Sequence, residues 1–378
     1  MIDRYELQFL SACFVLLLVG VTRKRGYAYL IFTSMLVILI GFGIKHLLFV
    51  SCITLINLIL FIINVSNPIL SLACNIAYLY FYKLYGPSLI YVHGTYDISG
   101  ILMVMTVKSC YLALENDGNV KKALIYLLFP PGLASGPVPK YSNFEIREDF
   151  TLSFIELFLS VIYLLIYAKT KTLDLLEPVK YKNNSFIKKL LFLYLWNFGL
   201  RTKFYFIWTF SHCCYSMFGY EDLLNFDIKK TEAAISVQEI TSNWNKFVSK
   251  FVKEFIFLKY ISYGKFYAIL STFTVSGFFH NYKPSTLLFF LSFPLLGKIL
   301  DDFNKNFENN LIKRIQTSLF VSYFSVPFLT QSVKETFIVW KSVYFYMHIY
   351  IGICGILLLL KFIYLKLTKI KDSEKKID

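Results

Sequence analysis

The sequence predicts an all-α protein whose helices cross a membrane repeatedly, and three observations carry that reading. The chain of 378 residues is 56% hydrophobic and only 17% charged, whereas ordinary soluble domains are about a quarter charged; its mean hydropathy is +0.56. Apolar runs approaching the roughly 20 residues that a bilayer demands recur along it. In hydrocarbon every backbone N–H and C=O must be satisfied within the protein, so helices are the open-ended structures that can cross.

The first run, Phe9 to Val21, ends in Thr22-Arg23-Lys24-Arg25 instead of a small-residue cleavage site and is expected to stay as an anchor. Tyr27 to Ile44, Leu47 to Ser66 and Val343 to Leu360 are the clearest spans. Further candidates are Pro68 to Tyr85, Ile98 to Leu114, Phe150 to Ala168, Leu190 to Phe218 (read as two shorter elements), Phe266 to Phe279, Ser285 to Leu296 and Ile315 to Thr330. Lys108, Glu156, Arg201, Lys203 and His280 fall at membrane depth in these. Such groups are costly in lipid and persist where they face a bundle interior or a wet cavity. Residues 91–300 are therefore expected to enclose a polar chamber, with peripheral helices in 1–90 and closing helices plus a basic tail in 301–378. The break from Pro130-Pro131-Gly132 to Pro139 interrupts any helix. Its irregular backbone must be covered by protein or open to water.

The net charge of +15 is scattered between apolar runs, without the continuous basic face and interleaved aromatics that nucleic acid requires. Such loop charges orient helices and meet anionic headgroups. The seven cysteines form no C-x-x-C pair and none lies near a histidine at ligand spacing, so no metal is expected.

Five histidines limit the search for a proton-transfer group. His46 follows Lys45 at a helix end, His93 lies in a Tyr/Gly-rich loop, and His348 sits in a lipid-like helix where an interhelical hydrogen bond explains it. His212 precedes Cys213, but adjacent helical residues point in different directions. His280 closes an apolar run before Asn281-Tyr282-Lys283-Pro284; a buried neutral imidazole there either takes a proton from a hydroxyl or donates to a backbone carbonyl. Asn245, in Asn243-Trp244-Asn245-Lys246, opens a segment with helical spacing. It either caps that helix or presents its amide to a developing oxyanion.

Trp244-Asn245 followed thirty-five residues later by His280 resembles the Asn/His pair of the membrane-bound O-acyltransferase family. Gly136-Pro137 with Lys140-Tyr141-Ser142-Asn143-Phe144 is similar to its G-P-x-x-x-Y-x-x-Y/F segment, and Arg201-x-Lys203-x-Tyr205-x-x-Trp208 to its R-x-K-Y-Y-x-x-W helix. Asn225-Phe226-Asp227 to Glu232 resembles the N-V-D-x-x-x-x-E approach. Asp97-Ile98-Ser99-Gly100, with Lys108 and Asp117-Gly118, resembles the lysophospholipid branch more than the sterol, diacylglycerol or protein-acylating branches. The chain departs from the family around the histidine, with Phe279-His280-Asn281 for W-H-G and Pro284-Ser285-Thr286 for P-G-Y.

The resemblance implies roughly ten helices around an intramembrane catalytic chamber within residues 91–300. It implies acyl transfer from acyl-CoA, a co-substrate with no further cofactor, to the free hydroxyl of a lysophospholipid. His280 would act as general base and Asn245 would hold the thioester carbonyl. Trp244, Arg201, Lys203, Tyr205, Trp208, Asn225, Asp97 and Lys108 would line the substrate, and the Lys246, Lys250 and Lys253 row offers contacts to the phosphates of CoA. A transporter would use the same intramembrane charges, but the paired interrupted helices of two related halves are not seen. Six lysines from Lys361 onward predict a cytosolic tail. Its Lys375-Lys376 resembles a dilysine signal read by coat proteins, which implies residence in the endoplasmic reticulum membrane.

Overall fold

A computed structural model describes residues 4–90, 97–133, 136–171 and 184–374. His93, Lys375 and Lys376 lie outside the described residues. Among the described residues all regular secondary structure is helical, with no strand. The helices are α1 (Arg4–Val21), α2 (Tyr27–Phe42), α3 (Ile44–Ile62), α4 (Pro68–Ile90), α5 (Ser99–Leu114), α6 (Val120–Leu128), α7 (Phe154–Lys171) and α8 (Phe186–Ser216). There follow α9 (Ile228–Glu232), α10 (Val237–Asn243) and α11 (Lys246–Val252), the last running on through a π-helical turn (Lys253–Phe257). The chain closes with α12 (Lys265–His280), α13 (Pro284–Asn304), α14 (Asn310–Phe324), α15 (Val326–Thr330), α16 (Val333–Ser342) and α17 (Tyr346–Glu374).

Among the described residues, two helical stretches are long and apolar enough to cross a bilayer by themselves, Ile44–Ile62 and Tyr346–Thr368; Glu6–Val21, Tyr27–Phe42 and Ser99–Leu114 are apolar but shorter. One expectation is corrected. Leu190 to Phe218 forms no pair of short elements: α8 is one helix of 31 residues, about 46 Å long. Gly199 does not break it, because its missing Cβ makes room for Thr170, whose Oγ1 would lie 2.3 Å from that atom. Arg201 does not break it either, because a carboxylate meets its charge, as described below.

The chain forms two compact units, Met1–Tyr167 with Thr202–Phe226 and Lys246–Lys259, and Ala168–Arg201 with Asp227–Asn245 and Tyr260–Asp378. In the first, α3 packs on α4, α5 and α6. Polar residues inside these apolar helices satisfy one another. Asn57 and Asn75 exchange side-chain amide hydrogen bonds of 3.1 and 2.8 Å, and the Ser109 hydroxyl donates to Asn57 Oδ1 at 2.8 Å while also meeting Ser71. Without water, such bonds hold helices together.

The break after α6 is covered by protein. Ser211 and Tyr215 of α8 donate to the carbonyls of Pro131 and Pro137 at 2.5 and 3.0 Å, and Tyr126 donates to that of Pro139 at 2.7 Å. A Cβ on Gly132 or Gly136 would fall 2.1 Å from Tyr215 Oη or 2.0 Å from Ser211 Oγ. The prolines remove donors, three hydroxyls supply the acceptors' partners, and glycine permits the approach.

The second unit is centred on Leu193, Phe293, Leu300, Phe320, Tyr323 and Trp340. Tyr323 stacks on Trp340 at 5.5 Å, and its hydroxyl lies 2.7 Å from His348 Nδ1, the interhelical bond expected of that histidine. Helices α12 and α13 pack closely at Gly277, where an added Cβ would meet Leu287 Cδ2 at 3.0 Å and Phe290 Cβ at 3.3 Å.

Candidate active site

His280 is the last residue of α12, one turn beyond Gly277. Its ring stacks on Phe290 of α13, with centroids 5.0 Å apart and planes 16° from parallel, and Phe328 meets it edge-on at 5.7 Å. The close approach at Gly277 is what brings Phe290 under the imidazole. Asn281 then leaves the helix in extended conformation, its N–H on the Gly277 carbonyl.

Asn245 is held by a different device. Its backbone is left-handed, φ 50°, a conformation that Asn tolerates and most residues with a Cβ do not. Just after it, the Lys246 N–H donates to the Asn225 carbonyl at 2.8 Å, and the Phe247 N–H donates to Asn225 Oδ1 at 3.0 Å. Asn225, 2% exposed, thus serves the first donors of α11. Just before it, Trp244 N–H donates to the Ile240 carbonyl and Asp227 N–H to that of Asn243. Asp227 also caps α9, its Oδ1 accepting from Lys230 N–H.

The motif helix α8 explains why Asn225 is fixed. Tyr205 stacks on Phe226 at 4.4 Å, and Trp208 lies over the same ring at 6.1 Å. Both are buried. Tyr205 and Trp208, placed with the substrate by resemblance, therefore clamp the residue next to Asn225. Lys203 approaches the ring of Tyr167, 5.9 Å from its centroid.

Arg201 closes its fork on Glu232, Nε to Oε1 and Nη2 to Oε2 both at 2.7 Å, and Nη1 donates to Asn197 Oδ1 at 2.6 Å. The two side chains are 12% and 19% exposed. Removing one partner leaves the other charge stranded, at a cost of about 3 kcal/mol or more, while replacing both with apolar residues is often neutral. Glu232→Gln is therefore expected to lower thermal stability in detergent clearly, with much of the loss recovered by Arg201→Met and Glu232→Leu together. A thermal unfolding series checks this.

Lys108 is wholly buried, donates to the Leu127 carbonyl at 3.0 Å and approaches the ring of Tyr126. Asp97 accepts from the Ser99 N–H at 2.8 Å and the Ser99 hydroxyl at 2.6 Å, ordering the start of α5. Tyr141 of the G-P segment donates to Asp117 Oδ1 at 2.6 Å. Burial raises the pKa of Asp117, but Tyr141, the Asn119 N–H and Lys122 outweigh that and hold it below its ordinary value.

The first unit holds a cavity of about 390 Å³ at the start of α11, lined by Lys140, Arg147, Lys246 and Lys250, by Tyr111, Tyr220 and Phe247, and by Glu221 and Asp222. Lys140 is paired with Glu254 at 3.1 Å, and Arg147, Lys246 and Lys250 against Glu221 and Asp222 leave the cleft net positive and anion-favouring. Arg147 and the aromatic walls were not singled out by sequence reasoning; the lining comes from α5, the segment 138–147, the segment 220–224 and the start of α11. The Glu156–His212 pair was missed too, its Oε1 and Nδ1 lying 2.7 Å apart, while Cys213, weighed as the partner of His212, donates instead to the Ser153 carbonyl. Among the described residues no group of three His, Cys, Asp or Glu side chains is placed to hold a metal.

Residues 100–296 match the sequence profile of MBOAT, the membrane-bound O-acyltransferase family. The chain is 28% identical over 219 residues to the lysophospholipid acyltransferase of Saccharomyces cerevisiae, covering 46% of this chain and 35% of that protein. It is 28% identical over 199 residues to lysophospholipid acyltransferase 2 of Arabidopsis thaliana (45% and 43%). With the human membrane-bound glycerophospholipid O-acyltransferase 2 it shares 27% over 202 residues (46% and 38%). The chain thus spans less than half the length of these relatives. The profile covers just over half of the chain itself, and it includes the Asn225 support, the Arg201 ion pair and the helix that ends at His280, so the chain belongs to the membrane-bound O-acyltransferase family.

Proposed function

We propose that this protein transfers a fatty acyl group from acyl-CoA to the free hydroxyl of a lysophospholipid, within a bundle of roughly ten helices around an intramembrane chamber. The observation that carries the reading is the anion-favouring cleft at the start of α11, directly after Asn245. Its volume suits part of a small-molecule ligand, and its lysines and Arg147 suit phosphates. The names of the relatives support a lysophospholipid as acceptor.

In the proposed reaction the His280 imidazole takes the proton of the glycerol hydroxyl as its oxygen attacks the thioester carbonyl. Asn245 donates to the carbonyl oxygen, whose charge grows as the tetrahedral intermediate forms. Collapse breaks the C–S bond, the ester remains on the lipid, and the CoA thiolate receives the proton from His280. Both substrates are bound together, so no acyl-enzyme is formed.

The test is direct: membranes carrying the protein, given acyl-CoA, are expected to release free thiol only when a lysophospholipid is added, with the new diacyl lipid read by mass spectrometry. Thiol release without acceptor, or transfer to a sterol or diacylglycerol instead, would contradict the reading. Lys246→Glu with Lys250→Glu is expected to raise the KM for acyl-CoA by about tenfold or more with kcat little changed, because both charges act on binding and not on the reacting carbonyl. Steady-state kinetics at fixed ionic strength measures it. The proposal also places the protein in the endoplasmic reticulum membrane, supported by the lysine-rich tail from Lys361.

A further inference from the structure

Helix α10 is seven residues long, and isolated helices shorter than about 12 residues are marginal. Its first N–H groups, which no turn of its own can satisfy, are met from two sides. Ser236 Oγ accepts from the Glu239 N–H at 3.0 Å, and Glu239 Oε2 accepts in turn from the Ile235 N–H at 2.9 Å. The N–H groups of Val237 and Gln238 go to Oδ1 and Oδ2 of Asp301, at 2.7 and 2.9 Å. Asp301 lies on α13, sixty-four residues after Val237.

The far end of α10 leads straight to Asn245. The Trp244 N–H donates to the Ile240 carbonyl at 2.8 Å, and the Asn243 side-chain amide donates to that of Glu239 at 2.8 Å, so helical bonding reaches the residue before Asn245. Helix α13 serves the other proposed reacting group, since its Phe290 lies under the His280 ring. Phe290, Gly297 and Asp301 stand at i, i+7 and i+11, which fall near one face of a helix and span about 16 Å. The helix continues through Pro294, and Phe293 and Leu300 anchor it in the core of the second unit. At Gly297 the missing Cβ admits Val237, for an added one would fall 2.7 Å from Val237 Cγ1. One helix of the second unit thus touches both supports: the ring that holds His280, and the first turn of the helix that ends before Asn245.

We infer that Asp301 is a positioning residue for acyl transfer, holding α10 against the face of α13 that carries Phe290 and so setting Asn245 relative to His280. The inference rests on the acyl-transfer reading. A carboxylate gives each of the two N–H groups a charge-assisted partner. An amide at the same place offers one oxygen and one NH2, so one backbone N–H meets a donor and the turn loosens.

The experiment is a double-mutant cycle on the full chain, Asp301→Asn with and without Asn245→Gly, read by steady-state kinetics on protein that elutes and unfolds as the unaltered protein does. Asp301→Asn alone is expected to lower kcat by about tenfold to a hundredfold, the cost of misplacing a reacting group by about 1 Å. The KM for acyl-CoA is expected to change little, because the interaction lost acts on the reacting geometry. In Asn245→Gly protein no amide remains to be misplaced, and Asp301→Asn is expected to add little to the loss. Equal losses in the two backgrounds, or an unchanged kcat in Asp301→Asn alone, overturn the inference and leave Asp301 as a helix cap only. An unaltered protein that forms no diacyl lipid overturns the acyl-transfer reading and this inference with it, so the unaltered protein tells the two failures apart. If Asp301→Asn does not fold, Gly297→Ala decides: its added carbon pushes α10 from α13 and is expected to lower kcat, and Val237→Ala, which removes the atom it meets, is expected to recover part of the loss. An unchanged kcat in Gly297→Ala overturns the inference.

Discussion

His280→Ala is expected to lower acyl transfer by about 100- to 10,000-fold, the range that a positioned general base supplies. The ring stacks on Phe290 and meets Phe328 edge-on, so its removal also loosens packing between α12 and α13, and the comparison must be made on protein that elutes and unfolds as the parent does. His280→Gln fills more of the site and still carries no base. If both variants fold and both lose turnover, the loss is chemical. Near-parental turnover in either would remove His280 from the mechanism. A supporting measurement is Gly277→Val, in which the added carbons meet Leu287 and Phe290. Displacing the aromatic shelf under the imidazole is expected to lower kcat without touching any group that contacts CoA.

Asn245 calls for a finer design, because its left-handed backbone and its amide act in the same residue. Asn245→Ala removes the amide and also places a Cβ residue where it costs about 1 kcal/mol or more. Asn245→Gly removes the amide and suits the backbone, and Asn245→Asp suits the backbone but puts negative charge where the oxyanion develops. If the amide stabilises the transition state, Gly and Ala lose about 100- to 1000-fold in kcat alike, and Asp loses at least as much. If the residue serves only the turn, Gly and Asp retain turnover and Ala alone declines. The KM for acyl-CoA is expected to change little throughout, since the interaction strengthens only as charge develops.

Several of the motif residues legible in the sequence hold one another in place. Tyr205 and Trp208 hold Phe226, and Phe226 fixes Asn225, which takes the first N–H groups of α11 beside Asn245. Arg201 faces Glu232. These residues pack and pair within the protein, and spacing along a chain does not reveal such contacts. The choice between cap and oxyanion donor at Asn245 was open in the sequence for the same reason. That Asn225 serves the first donors of α11 depends on a residue twenty positions earlier and on the fold that returns it.

Composition and hydropathy by themselves determined that this protein is helical and rich in apolar spans, because burying a backbone in hydrocarbon leaves one open-ended solution. Residue order determined the family, because Asn245, His280 and the G-P and R-x-K segments keep their sequence spacing whatever the chain does between them. Only the tertiary structure decided which polar groups meet. It brought Glu156 to His212 across fifty-six residues and Asn57 to Asn75 to Ser109, gathered a basic cleft from the segment 138–147 and the start of α11, and kept α8 whole by fitting Thr170 against Gly199. The physical reason is that hydropathy is a property of each residue summed along a segment, whereas a hydrogen bond or an ion pair belongs to two residues at once and exists only when folding sets them a few ångströms apart.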